Sequence, residues 1–205
     1  MQIINAKFIT SAASAADWGK FNLPEIAVAG RSNAGKSSFI NMIAENSKLA
    51  RTSKEAGKTR CVNYYQCTAK DKEQFSTFHL TDLPGYGYST ASKTVTETFS
   101  ALTDEYIRTS ENLLHVLVLV DIRIPPARND LQLIDFLYRR QKPFTVLAVK
   151  ADKLSRLQTE NQRTLIAREL KMGRDDIIAL SNTTGAGRPR IEELFCRILS
   201  AERSV

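Results

Sequence analysis

The chain is poor in the residues that mark several function classes. Its three cysteines, Cys61, Cys67 and Cys196, show no metal-like spacing and leave an odd count, which fits a reduced, cytosolic compartment. The two histidines, His79 and His115, fall inside strand-like stretches and read as structural residues, not as ligands or general bases. Long apolar runs are missing. The longest, residues 113–120, is broken by His115 and is far too short to span a bilayer, so no membrane association is expected. Residues 1–9 lack a basic region followed by an apolar core, so no secretory signal is expected. Acidic residues are in deficit: 22 Asp and Glu face 29 Lys and Arg, a net charge of +7. That surplus suits a polyanionic partner, RNA first, although charge alone does not separate this from a solvated basic surface. The remaining composition, 42% hydrophobic and 25% charged, is that of an ordinary globule.

One stretch organises the rest. Residues 26–29 form an apolar run that reads as a buried strand. Gly30-Arg31-Ser32-Asn33-Ala34-Gly35-Lys36-Ser37-Ser38 follows and matches the phosphate-binding pattern G-x-x-x-x-G-K-[ST]. Phe39, Ile40, Met42 and Ile43 then continue as one helical face. Gly30 and Gly35 let the backbone wrap a phosphate, with successive N–H groups turned inward and the positive end of a helix dipole behind them. Lys36 places a point charge on the β- and γ-phosphates, and the Ser37 hydroxyl can ligate Mg²⁺.

Along the chain, residues 3–9 suit a short strand and residues 10–22 a loop. Residues 48–60 form a basic surface loop. Residues 61–68 and 74–81 read as two strands joined by the turn at 70–73. Further strands are expected at 113–121, 144–149 and 176–180, with helices at 93–109, after Pro125 and Pro126, at 158–170, and at the C-terminal end. In the last helix Ile191, Leu194, Phe195, Ile198 and Leu199 share a face. Strands alternating with helices predict a three-layer α/β fold: a mostly parallel sheet, helices on both faces, and one antiparallel edge strand from the 61–81 pair.

Other motifs fall at strand ends, where open parallel sheets bind ligands. In Asp82-Leu83-Pro84-Gly85, the Asp82 carboxylate can hold a water of the Mg²⁺ shell and the Gly85 N–H can meet a γ-phosphate oxygen. In Lys150-Ala151-Asp152, after Val149, the carboxylate can accept from guanine N1 and N2 while the Lys150 stem lies on the base. Ser181 and Asn182 offer backbone N–H groups for guanine O6. Thr59 lies in the basic loop with Gly57, Lys58, Arg60 and Cys61 beside it. Its hydroxyl can complete a Mg²⁺ shell when a γ-phosphate is present and leave when it is not, which makes residues 51–60 a candidate switch.

Together these phrases resemble the five nucleotide-binding motifs of small GTPases. More narrowly, the chain resembles the YihA/YsxC (EngB) family of bacterial ribosome-assembly GTPases within the Era-like P-loop group. Beyond the motifs above, Leu49-Ala-Arg-Thr-Ser-Lys54, Tyr86-Gly-Tyr88, Val120-Asp-Ile-Arg123 and Lys153-Leu154 carry the likeness, which extends from about Phe8 to Leu199. It implies a single GTPase domain over residues 1–205, with an N-terminal extension at 1–23 and a nucleotide-binding core at 24–199. It also implies GTP binding and hydrolysis with Mg²⁺, in a cytoplasmic protein that acts as a monomer. The partner implied is the large ribosomal subunit, its rRNA or its proteins, in assembly, with a requirement in normal cell division and septation.

The chain departs from that family's pattern at two places. Relatives usually carry Thr or Asn before the Lys-x-Asp element, where this chain has Val149. A lost neutral hydrogen bond costs about 1 kcal/mol, roughly five-fold in affinity, so binding should be weaker yet guanine-selective. Ala56 replaces a common proline and should loosen the switch loop. Tyr86 occupies the position where many GTPases orient the attacking water with glutamine, and no motif side chain is an obvious general base. Slow intrinsic hydrolysis follows. Asn33 is the best hint of a helper: an asparagine there can ligate K⁺ beside the phosphates, or it can simply be tolerating a positive φ. Catalytic roles are therefore expected of Lys36, Thr59, Gly85 and Asn33. The basic set Lys48, Arg51, Lys54, Lys58 and Arg60 can tie RNA affinity to nucleotide state or merely keep the loop solvated. Two other readings stay open. An ATP-using P-loop enzyme is opposed by Asp152, and a nucleotide-dependent RNA-binding module with negligible hydrolysis is kept alive by Tyr86.

Overall fold

The computed structural model describes residues 1–18, 22–51, 61–87 and 101–202. Strands β1 (Gln2–Ala12), β2 (Glu25–Gly30), β3 (Val62–Asp71), β4 (Gln74–Asp82), β5 (Leu113–Asp121), β6 (Phe144–Val149) and β7 (Ile177–Leu180) form one sheet. Helices α1 (Lys36–Ile43), α2 (Ala101–Thr109), α3 (Arg128–Arg139), α4 (Arg156–Leu170) and α5 (Arg188–Glu202) cover it. The strand order is β1-β3-β4-β2-β5-β6-β7, with β4, β2, β5, β6 and β7 parallel and β3 antiparallel to both of its neighbours.

The expected three-layer α/β architecture is present. The reversed strand of the 61–81 pair is β3, and β4 returns after the two-residue turn Lys72-Glu73, with Lys72 at φ 55°. β1 extends the sheet beyond β3, so the reversed strand is second from the edge. The loop expected at 10–22 begins later: β1 runs to Ala12, and Ala15–Asp17 is a single 3₁₀ turn. Sequence patterning understated β1 because an edge strand lies half in water and its register shifts twice, near Ile4 and Ile9. Of the helix expected at 93–109, the described part is α2; residues 93–100 lie outside the described residues.

β2 is buried along its whole length, and β5 nearly so, which explains their continuous apolar composition. Alternate side chains supply two cores. On one face Val116, Val118 and Val146 pack with Tyr106 and Ile107 of α2, Leu133 and Leu137 of α3, and Ile166 and Leu170 of α4. On the other, Val28, Leu117 and Leu147 pack with Phe39, Ile40 and Ile43 of α1 and Ile191, Phe195 and Leu199 of α5. Burial of these side chains stabilises the fold by about 25 cal/mol per Å² of apolar surface removed from water. The parallel register brings Gly30, Asp82, Asp121, Val149 and Leu180 to one edge, with Val28 beside Asp82, Gly30 beside Leu119, and Val149 between Asp121 and Leu180.

Candidate functional site

The loop between β2 and α1 takes the form its glycines allow. Gly35 holds φ 97° as the N-cap of α1, and among the described residues no side chain caps that helix, so its first N–H groups stay available for an anion. Asn33 has φ 64°, as the conformational explanation of that residue requires, and its side chain is exposed. Ser32 N–H donates to the Tyr86 carbonyl at 2.9 Å and Ala34 N–H to the Arg31 carbonyl at 3.0 Å, which closes the loop. Lys36 is 9% exposed, and its Nζ donates to the Gly30 carbonyl at 3.3 Å. Burial lowers its pKa, while the Asp82 carboxylate opposes that shift.

Asp82 closes β4 and is 2% exposed. Ser37 Oγ donates to its Oδ2 at 3.5 Å, while Oδ1 is buried with no hydrogen-bond partner among the described residues. Burial pushes the carboxyl up to about 6, against Lys36 and the Ser37 hydroxyl. The Ser37 hydroxyl and the buried Asp82 carboxylate with its unmatched oxygen are hard oxygen donors that suit a small divalent cation, and the adjacent Lys36 ammonium suits the phosphate bound with it. A Cβ at Gly85 would meet Ser32 Oγ at 2.9 Å and Lys36 Nζ and the Ser32 Cα at 3.0 Å, so a side chain here would push on the phosphate loop and on Lys36. Leu83 is buried in the core and its N–H donates to the Val28 carbonyl at 3.0 Å; Pro84 is buried beside it. Ser38 lies in the first turn of α1, half-buried.

Tyr86 does not take a glutamine-like position. It is 3% exposed, and its hydroxyl donates to Asp130 Oδ1 at 2.9 Å, while Asp130 Oδ2 accepts the Ala127 N–H at the start of α3. The side chain thus anchors the loop to α3.

On the base side, Lys150 has φ 68° and its Nζ spans Asp121 Oδ2 at 2.9 Å and the Asn33 carbonyl at 3.2 Å. Asp121 also receives Arg123 at 2.7 Å and 2.9 Å. Burial alone would raise this carboxyl, but the Arg123 and Lys150 donors hold it well below the usual carboxylate range. Asp152 Oδ1 accepts from Ser181 Oγ at 2.7 Å, and Lys153 pairs with Oδ2 at 3.1 Å. Those contacts lower its pKa and keep it charged. Ser181 is fully buried and accepts the Thr183 and Thr184 N–H groups, which shapes its loop. Asn182 Nδ2 donates to the Gly35 carbonyl at 3.1 Å. Val149 is wholly buried; its carbonyl accepts the Ile122 N–H at 3.0 Å. Ala151 opens the short turn Ala151–Lys153.

The phosphate loop, Asp82, Gly85, Lys150, Asp152, Ser181 and Asn182 are therefore joined through direct contacts and adjoining loops at one sheet edge. Gly57, Lys58, Thr59 and Arg60, like Lys54, Ala56 and Tyr88, lie outside the described residues. Cys61 is described, half-buried and free. Three features escaped residue-by-residue reading: the Asp121 brace on Lys150, the Asn182 side-chain tie, and the Tyr86–Asp130 anchor. Only the first left a signal, an acid at a strand end neighbouring the Lys-x-Asp strand.

Residues 25–150 match the family model described as 50S ribosome-binding GTPase. The chain is 39% identical to the "Probable GTP-binding protein EngB" of Pelotomaculum thermopropionicum, over 96% of both chains. It belongs to the EngB family of GTP-binding proteins. An EngB-family chain should share the GTPase fold, and it does. The crystal structure of a probable GTP-binding protein engB superposes with a TM-score of 0.62 at 22% identity, covering 86% of this chain and 99% of that one. Era in complex with MgGDPNP and nucleotides 1506–1542 of 16S ribosomal RNA superposes at 0.65 and 20% identity, covering 86% and 56%. As an EngB-family member the chain is a P-loop GTPase, and among its described residues no helix is long and apolar enough to cross a membrane.

Proposed function

We propose that the chain binds GTP at this sheet edge, hydrolyses it slowly, and uses the exchange as a switch in assembly of the large ribosomal subunit. It acts as a cytoplasmic monomer and is needed for normal cell division and septation. The observation that carries the site is the meeting of the phosphate loop, with Ser37 against Asp82, and the base-side loops, with Ser181 against Asp152, through the Lys150–Asn33 and Asn182–Gly35 contacts. Lys36 binds the β- and γ-phosphates, and the N–H groups of Asn33 and of residues 35–38 hold their oxygens. The Ser37 and Thr59 hydroxyls and, through water, Asp82 would hold Mg²⁺, which would supply positive charge against the phosphates. The Gly85 N–H orients the γ-phosphate. Asp152 selects guanine, held ready by Ser181 and Lys153. Because Tyr86 is turned to Asp130, water activation awaits a partner or K⁺ at Asn33.

The ribosomal reading rests on the description of the matching family and on the net charge of +7. Lys48 and Arg51 are exposed at the start of the basic loop, where a GTP-ordered segment can present cations to RNA. One measurement tests enzyme and partner together: multiple-turnover phosphate release in potassium, with and without large subunits. Slow release, accelerated by subunits and competed by GDP but not ADP, is expected. Competition by ADP would overturn guanine selectivity, and no release under either condition would favour a nucleotide-dependent binding module.

A further inference from the structure

Two side chains tie the base-side loops to the phosphate loop. Lys150 reaches the Asn33 carbonyl and Asn182 reaches the Gly35 carbonyl, the latter across 147 residues of sequence. The role expected of residue 182 used only its backbone N–H, so the side-chain contact is additional. The Gly35 carbonyl also accepts the Phe39 N–H at 2.8 Å, the first turn of α1. Asn182 is thus bonded to the residue that begins the helix behind Lys36. A Cβ on Gly35 would meet Asn182 Nδ2 at 3.2 Å, so the amide lies close against the loop backbone. The amide orientation follows from chemistry, since a carbonyl can be met only by the donor nitrogen. Asn182 Oδ1 is buried and has no partner among the described residues, so the bond to Gly35 is what holds this amide.

Val149 supplies the other half of the observation. It ends β6 fully buried, in the core cluster that also contains Ala34 and Leu180. A valine there packs but offers no hydrogen bond, where threonine or asparagine would offer a polar group.

We propose that the Asn182 carboxamide is a positioning residue that couples the base-side loop to the phosphate loop, supplying a link that Val149 cannot. This rests on the reading of the site as a guanine-nucleotide site. The physical reason is one of simultaneous grip. A ligand held at both ends gains from the second contact only if the two loops stand at the right separation, and a tie between them fixes it in advance.

The test is a double-mutant cycle read with N-methylanthraniloyl-GDP and the matching GTP. Asn182→Ala raises Kd about five-fold, mostly through faster dissociation. Val149→Thr alone tightens binding by less than about two-fold, because the tie already exists, but in the Asn182→Ala background it restores most of the loss. Asn182→Asp keeps the outline but cannot donate, and loses at least as much as Asn182→Ala. Thermal unfolding without nucleotide accompanies each variant, and a Kd loss in a protein of unchanged melting temperature supports the link. No loss in either variant overturns it, as does a loss of equal size with and without Val149→Thr. If the unsubstituted chain binds neither nucleotide, the site reading itself fails, and that result is distinguishable from both.

Discussion

Two buried carboxylates stand at opposite ends of the same strand pair, and burial raises both. Glu25 opens β2 beside His79; Asp82 closes β4 beside Val28. Glu25 is 0% exposed, and its Oε2 accepts the hydroxyls of Tyr106 and Ser110, the latter at 2.8 Å. Tyr106 also bonds Thr81 at 3.0 Å and meets Trp18 edge-on. Asp82 has instead an ammonium and a serine hydroxyl, at the edge where the loops gather. Each keeps one oxygen unmatched among the described residues. The difference is in company. Neutral donors from α2 and from Ser110 just beyond it turn one buried acid into an anchor that holds α2 against the sheet. The ammonium and the serine hydroxyl beside the other suit the metal-bound phosphate proposed above.

Breaking that contrast starts at the phosphate end. Lys36→Ala should lower GTP and GDP affinity by more than about 100-fold, since a charge-assisted contact to phosphate in a water-poor loop is lost. Titration calorimetry checks this, with the melting temperature of the nucleotide-free protein expected to hold or rise as a partly desolvated amine is removed. At the other end Glu25→Ala should cost stability, about 2–3 kcal/mol by chemical denaturation, because it leaves the Tyr106 and Ser110 hydroxyls unmatched and opens a cavity. Nucleotide affinity of the folded variant should stay within about two-fold. A larger effect on affinity than on stability would erase the distinction between the two acids.

The pH dependence sharpens it. Asp82 has a folded pKa of about 6 against 3.8 unfolded, so the folded protein holds the proton more tightly. Its contribution is fully present below the unfolded value and is lost as pH rises through about 6. Relative to Asp82→Asn, the nucleotide-free protein should therefore gain on the order of 2 kcal/mol as pH falls from 7 to 4. With magnesium and GDP bound the carboxylate must ionise, so affinity should instead fall below pH 6. Melting curves across pH, with and without ligand, should show opposite slopes. The smallest effect concerns Asn33. Its positive φ is compatible with a free carboxamide, so turnover should be several-fold faster in potassium than in sodium, and Asn33→Ala should remove that difference. Equal rates in both salts would leave Asn33 with its conformational role alone.

Much of the site was legible because it is local. The strand, the glycine loop and Lys36 follow one another within a few residues, and periodicity alone located β5, β6 and α5. Edge strand β1 was less visible because half its surface is solvated. The fate of Tyr86 was not legible, since nothing near it in sequence predicts a hydroxyl bond to Asp130, 44 residues away. Asp121 stands in the Val120-Asp-Ile-Arg123 phrase, yet its bond to Lys150 depends on β5 lying beside β6.

By itself, then, the order of residues determined a phosphate-binding loop, an acid after each of two strands, and the family to which the chain belongs. These depend on short-range backbone geometry and on chemistry carried by single side chains. Tertiary structure decided which buried acid anchors and which stays available, and which distant amide braces Gly35. Those outcomes depend on strand order and register, which bring together groups that sequence keeps far apart.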